Sequence, residues 1–224
     1  MRPWLALGLL VVIVAGCGGS PSTTPTRIAL LAPFEGRYRE VGYQALYAAR
    51  LGIADSNRLD INLLPIDDGG SVAAAQDRAA ALNQDPLVKA VIVLGPFATA
   101  ERVSEQLQKP TVSVGTWEAS SITELATQRT PSICGDACLL PSFVALASDP
   151  TRITIETRSP PVTAAFRERY LASGDFVPEP LPTAQHVYLR MPDIIAVALG
   201  ETLPAPELPQ HTYTYDRTGQ LRSR

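Results

Sequence analysis

The sequence predicts an α/β fold built on a doubly wound parallel sheet. Short apolar segments alternate with amphipathic or alanine-rich segments from residue 27 to residue 114. The third apolar segment, Val88–Leu94, is apolar at nearly every position, as in strands that are covered on both faces. Each intervening segment has the length of a single helix, and such connections join parallel strands through right-handed crossovers.

The first half of the chain supplies the strands and helices of this sheet. The predicted strands are Arg27–Leu31, Ile61–Ile66, Val88–Leu94 and Thr111–Val114. The predicted helices are Val41–Asp55, Val72–Asn83 and a segment that Thr99 caps and that ends near Gln108. Asp67 and Asp68 precede the second helix. Because adjacent side chains on an extended chain point to opposite faces, these residues predict a turn and a helix cap rather than an acid/base pair.

The second half of the chain is less regular. Residues 118–149 are rich in Ser, Thr and Pro and predict no strand, whereas Arg152–Thr157 is a β-branched strand. A helix is expected from the prolines at 160 and 161 to Tyr170, and another over Ala184–Leu199, which Pro192 should kink or divide. His211–Tyr215 alternates Thr with Tyr and predicts a final edge strand.

The N-terminus has the pattern of a bacterial lipoprotein signal. Arg2 precedes the apolar run Leu5–Val14, which ends in small residues before Cys17. The pattern predicts a signal peptide over residues 1–16, a lipid on Cys17 and a flexible tether over residues 17–26. An ordinary secretory signal or an uncleaved anchor is the alternative. We therefore expect an extracytoplasmic, membrane-anchored protein, in the periplasm or on the outer cell surface.

Composition excludes several classes of function. The chain of 224 residues is 46% hydrophobic and 18% charged, with a net charge of −3, which is typical of a globular protein. The sequence has no basic patch, so we expect no binding to nucleic acid. The sequence has neither a nucleophile elbow nor a phosphate-binding loop, so we expect no enzyme and no cofactor.

The cysteines and histidines suggest structural roles. In an oxidising compartment, Cys134 and Cys138 favour a disulfide over free thiols. His186 and His211 are far from both cysteines along the chain, so no metal site is expected. Each histidine is interpreted as a surface or capping residue.

Several segments carry a family resemblance. They are Ile28–Gly36 followed by Gly42, Pro65–Gly70 before an alanine-rich helix, Val91–Pro96, Pro110–Gly115, Phe166–Tyr170 and Tyr215–Gly219. In this order they resemble the solute-binding proteins of branched-chain amino-acid ABC importers, of the type I periplasmic-binding-protein family. The resemblance implies a clamshell of two α/β lobes. Here the matching segments belong to the first lobe.

The missing second lobe shapes our expectation for the domain. Residues 118–151 are too few for a lobe, because one βαβ unit alone needs about 30 residues. We therefore expect one α/β domain over residues 27–224, a single lobe in which residues 118–151 are a shortened crossover. Without an opposing wall, a small amino-acid-like ligand should bind weakly.

The resemblance also implies where a ligand would lie. In the family, the loops after the third and fourth strands present hydroxyls and backbone amides, and the corresponding candidate ligand-binding residues here are Gly95, Phe97, Thr99, Ser113, Gly115, Thr116 and Trp117. Thr99 has a helix cap as its alternative role. Phe97 and Trp117 are equally consistent with burial or with a partner contact.

These expectations combine into two functional hypotheses. The first is a lipid-anchored solute-binding-protein-like module, linked to an amino-acid-type ABC importer or holding a partner, such as a second copy, through the face that lobe two would cover. The alternative is a structural or regulatory envelope lipoprotein, such as an activator of cell-wall synthesis.

Overall fold

A four-stranded parallel sheet forms the centre of the fold. The computed structural model describes residues 24–115, 117, 143–149, 152–201, 211–216 and 219–223. The strands are β1 (Thr26–Ala32), β2 (Ile61–Asp67), β3 (Val88–Val93) and β4 (Thr111–Ser113), and their order in the sheet is β2-β1-β3-β4. This order and the parallel pairing confirm the predicted doubly wound α/β class.

Helices cover both faces of this sheet. The helices of the first half are α1 (Arg39–Asp55), after a short 3-10 turn at Gly36–Tyr38, α2 (Val72–Gln84) and α3 (Glu101–Gln106). Ile28 and Leu30 of β1 pack on the side of α1, whereas Ala29 and Leu31 pack on the side of α2 and α3. Because successive side chains alternate across a strand, a continuous apolar run fills both layers.

The second half of the chain forms a separate antiparallel sheet. Its strands, in spatial order, are β5 (Phe143–Asp149), β6 (Arg152–Thr157), β7 (Tyr213–Tyr215) and β8 (Leu221–Ser223). The expectation of no strand before residue 149 is therefore wrong. The predicted edge strand at His211–Tyr215 is also corrected, because β7 lies between β6 and β8. These short segments form strands because they hydrogen-bond to neighbouring strands, and the local sequence pattern does not show which strands those are.

Two late helices return the chain to the first sheet. They are α4 (Ala164–Leu171) and α5 (Pro182–Ala198), and α5 packs along α1. The side-chain oxygen of buried Gln44 accepts from the amide of Leu181, and a Cβ at Gly52 would lie 2.5 Å from Met191. Of the two expected effects of Pro192, a kink or a division, the division is wrong, because α5 continues through the proline with buried residues on both sides of it.

Two expected helix caps are corrected. Helix α3 begins at Glu101 with Ala100 at its N-cap and ends at Gln106, so Thr99 is not the cap. Helix α2 is capped by Ser71, whose hydroxyl accepts from the amide of Ala74 at 3.2 Å, and not by Asp67 or Asp68. Ser71 has the extended backbone that an N-cap requires.

The expectation that each histidine is a surface or capping residue is confirmed for His211, which is exposed, but not for His186. His186 is buried on α5 with its Nδ1 atom 2.9 Å from the hydroxyl oxygen of Ser159. Burial lowers the pKa of His186 to about 3, and the charge of Arg190 adds to this. His186 is therefore a neutral core residue.

No helix in the part of the chain that the structure describes combines the length and the apolarity that crossing a membrane needs.

Candidate functional site

The candidate site lies where the carboxyl ends of the parallel strands meet. In the order β2-β1-β3-β4, the connections leave β1 and β3 in opposite directions, and the loops after these strands flank the resulting crevice. Gly95, after β3, has φ of +96°, and a Cβ there would lie 2.7 Å from Cδ of Pro33. Only glycine permits this close approach of the two loops.

Two of the expected ligand hydroxyls are used inside their own loops. The Thr99 hydroxyl donates to the carbonyl oxygen of Gly95 at 2.8 Å, and the Ser113 hydroxyl donates to that of Gly115 at 3.0 Å. A hydroxyl has one proton to donate, so neither offers it to a carboxylate while these bonds persist. Thr116 lies outside the described residues.

An aromatic surface takes the place of those hydroxyls. Trp117, after β4, is half-buried and meets Tyr38 edge-on with ring centroids 5.0 Å apart. The guanidinium of Arg37 lies 5.1 Å from the centre of the Tyr38 ring. The indole Nε1 of Trp117 is buried and has no acceptor among the described residues. Phe97 is half-buried against the layer of α2 and α3.

Sequence reasoning missed Arg37 and Tyr38. Both belong to the connection between β1 and α1, at the same sheet edge as the loops after β3 and β4. Their position directly after the first strand could have predicted that they lie at this site, because the carboxyl ends of all parallel strands share one edge.

Asp67 shapes the loop after β1. Its Oδ1 accepts from the amides of Phe34, at 2.7 Å, and Glu35, at 3.1 Å, and its Oδ2 accepts from the amide of Gly69. The predicted turn-forming role is therefore confirmed for Asp67, which also fixes the loop that leads to Tyr38.

Asp68 is the one carboxylate buried at this edge among the described residues. It is 1% exposed, and its Oδ1 accepts from the amide of Gly70 at 2.9 Å, while its Oδ2 has no described partner. Burial raises the pKa of Asp68, the Gly70 amide opposes this, and the charge of Asp67 adds to it. The two carboxyl groups therefore have separate bonding roles, as predicted.

His186 of α5 and Ser159, which follows β6, form a buried pair, and neither belongs to the loops of the candidate site. Within the described ranges, no group of three or more His, Cys, Asp or Glu is placed to hold a metal ion. Cys17, Cys134 and Cys138, for which a lipid and a disulfide were predicted, lie outside those ranges.

The solved structures that are similar to this chain include proteins of branched-chain amino acid transporters, the group that the sequence segments resemble. A branched-chain amino acid ABC transporter protein from Rhodospirillum rubrum is 21% identical at a TM-score of 0.36, with 40% of this chain and 28% of that chain covered. The substrate-binding protein of the branched-chain amino acid transporter from Streptococcus pneumoniae, in complex with isoleucine, is 17% identical at a TM-score of 0.38, with 43% and 30% covered.

A leucine-binding protein from Thermotoga maritima is similar to the same extent. It is 17% identical at a TM-score of 0.37, with 42% of this chain and 28% of that chain covered. The chain thus spans less than a third of the length of these proteins. No protein-family model and no curated protein matches it. Function is therefore inferred from the contacts within this chain.

Proposed function

We propose that this protein is a lipid-anchored extracytoplasmic module of the solute-binding-protein type that binds a partner through one open lobe. The observation that carries the proposal is the carboxyl edge of the parallel sheet. There the hydroxyls of Thr99 and Ser113 bond within their loops, while Tyr38 and Trp117 form an aromatic surface. Such a surface suits a protein partner better than an amino acid, because aromatic side chains are enriched at interface centres.

Weak binding of free amino acids follows from the same geometry. An amino acid brings a carboxylate and an ammonium group, and each must exchange water for protein partners. The hydroxyl protons nearest the crevice are already donated to Gly95 and Gly115. With one wall, the ligand keeps much of its surface in water, so little binding energy remains after the cost of association.

An ABC importer of amino acids is the partner system that we favour. Two of the segments that resemble importer binding proteins, Ile28–Gly36 and Pro110–Gly115, end two residues before Tyr38 and Trp117 respectively. Anchoring by a lipid on Cys17 would keep the module near membrane-embedded components.

A thermal unfolding screen of the full mature chain tests weak ligand binding. With each aliphatic amino acid at about 1 mM, we expect Tm to change by less than about 1 °C. A ligand present at 100 times its Kd would stabilise the fold by about 2.7 kcal/mol, which raises Tm of a domain of this size by several degrees. A shift of that size would contradict the one-walled site.

Site-specific photo-crosslinking in cells tests the partner. A photoreactive residue at Arg37, which is exposed and lies over the Tyr38 ring, should form an adduct that mass spectrometry identifies as a component of an amino-acid importer. The matched control is Asp77, which is exposed on α2, and it should give no such adduct. Adducts with a cell-wall synthase would support the alternative envelope role, and equal labelling from both positions would contradict a specific edge.

A further inference from the structure

The described chain enters the parallel sheet beside an exposed leucine. The amide of Thr26, at the start of β1, donates to the carbonyl oxygen of Asp60 at 2.8 Å, and Thr26 pairs with Ile61. Leu59, one residue before Asp60, is 99% exposed. The chain that precedes Thr24 is therefore attached at the same end of the molecule as Leu59.

The surface around Leu59 is apolar with charges of both signs at its border, because Arg50 and Arg58 are accompanied by Asp55 and Glu201. A shallow groove of about 680 Å³ beside Leu59 is lined by Ile53 and Leu63 and by Arg50 and Arg58. Arg58 also lines a second groove of about 440 Å³ between α1 and α5, where the apolar lining includes Leu189, Pro192 and Leu199. We call Leu59 with these two grooves the amino-end face, because it lies where the parallel strands begin.

The length of the tether determines which end of the molecule can reach a membrane. Six residues, 18–23, lie between Cys17 and Thr24. Such a Gly/Ser/Thr-rich segment spans at most about 25 Å, with a root-mean-square length of about 15 Å. A seven-residue strand is itself about 23 Å long, so the carboxyl edge with Trp117 lies about that distance from the point where the tether is attached, beyond the root-mean-square length of the tether.

We propose that the amino-end face docks on the bilayer that holds the Cys17 lipid, with Leu59 in the interfacial layer and Arg50 near lipid phosphates. This inference rests on the anchoring proposed above. Arg58 donates two hydrogen bonds to Asp60, so it adds little net charge and docking depends mainly on Leu59. The contact is weak by itself, but the short tether gives the face a high local concentration at the surface.

This orientation has a consequence for the partner site. When the amino-end face meets the bilayer, the carboxyl edge with Tyr38 and Trp117 points into the aqueous compartment. The importer component proposed above must therefore meet that edge with a part that extends into the aqueous compartment.

Bromolipid quenching tests the orientation. The mature lipidated chain is reconstituted in vesicles of phosphatidylethanolamine and phosphatidylglycerol, with or without brominated acyl chains, as the wild type, Leu59→Trp or Tyr43→Trp. Tyr43 is 42% exposed and contacts Phe34, near the carboxyl edge, so Tyr43→Trp is the matched control. We expect bromination to reduce the emission added by Leu59→Trp at least about twofold and the emission of Trp117 or Tyr43→Trp by less than about a tenth.

Flotation of the same vesicles separates the two proposals. If the protein floats with the vesicles and bromination quenches all three proteins equally, or none of them, docking is wrong while anchoring stands. If the wild type does not float, the lipid on Cys17 is wrong and docking falls with it. A blue shift of Leu59→Trp without bromolipid quenching would place a second copy of this chain on Leu59, and this also overturns the proposal.

Discussion

The two sheets of this protein differ in how they are covered. Strands β1 and β3 have helices on both faces and are buried from Ile28 to Ala32 and from Ala90 to Val93. The antiparallel sheet contributes Ile155 and Tyr215 to the core, whereas β8 has Leu221 at 39% exposure. Because burial of apolar area drives folding, the free energy of unfolding should be concentrated in the parallel sheet.

The largest expected difference between the sheets comes from two glycines. A Cβ at Gly42 would lie 1.9 Å from the carbonyl oxygen of Pro33, so Gly42→Ala must displace α1 from the loop after β1. We expect a loss of more than about 3 kcal/mol, measured by urea unfolding. At Gly219, a Cβ would lie 3.4 Å from Leu181 and φ is +79°, so Gly219→Ala should cost only about 1 kcal/mol. Equal losses would contradict the comparison.

Two leucines give the next largest difference. Leu30 is fully buried at the centre of β1, and Leu30→Ala should lower the free energy of unfolding by about 3 kcal/mol through lost burial and a cavity. Leu221→Ala, on the partly exposed edge strand β8, should cost less than about 0.5 kcal/mol. Chemical denaturation of the two variants under identical conditions compares the sheets directly, and the reverse order would place the stability in the antiparallel sheet.

The buried histidine tests the junction between the two sheets. His186 on α5 contacts Ser159, which follows β6, and its pKa of about 3 lies below the usual value of 6.5. The unfolded chain therefore binds a proton that the native protein excludes, so stability is fully present above pH 6.5 and falls as the pH decreases toward 3. Between pH 6 and pH 4 the slope from this residue should be about 1.4 kcal/mol per pH unit.

The matched variants for this test are His186→Gln and His211→Gln. His186→Gln should remove that slope from the pH dependence of urea unfolding, whereas His211→Gln, at an exposed position, should leave it unchanged. If both variants keep the slope of the wild type, His186 is not the group that titrates.

The smallest expected effect concerns the two aspartates at the carboxyl edge. Burial raises the pKa of Asp68, so ionising this carboxyl group costs stability as the pH rises above the usual Asp range near 4. Asp68→Asn keeps an acceptor for the Gly70 amide and should stabilise the protein at pH 7, with no gain at pH 3. Asp67→Asn should be destabilising, because both Asp67 oxygens accept amides. Parallel thermal unfolding at both pH values distinguishes these results.

The parallel sheet was predictable from the sequence because its signals are local. A buried strand such as Val88–Val93 shows its apolar run directly, and each helix between strands shows its own periodicity. The antiparallel sheet was not predictable in the same way. Tyr213–Tyr215 and Leu221–Ser223 have three residues each, and such segments become strands only through partners distant in the chain.

The candidate site was predicted in position but not in chemistry. The loops after β3 and β4 lie at the expected edge, since parallel strands fix where their carboxyl ends meet. The partners of Thr99 and Ser113 depend on loop conformation, which the residue types do not specify. The pairing of Tyr38 with Trp117 joins loops that are distant in the sequence, and no local pattern reports it.

The packing of α5 on α1 affects the order in which the protein can mature during synthesis. The amide of Leu181 donates to the side-chain oxygen of Gln44, which lies 137 residues earlier in the sequence, and Met191 packs against Gly52. A nascent chain emerges with its N-terminus first, so β1 to β4 are available long before the helix that completes one side of their core. Contacts this distant in sequence form slowly. Until residue 198 has emerged, the apolar side of α1 stays open to chaperones.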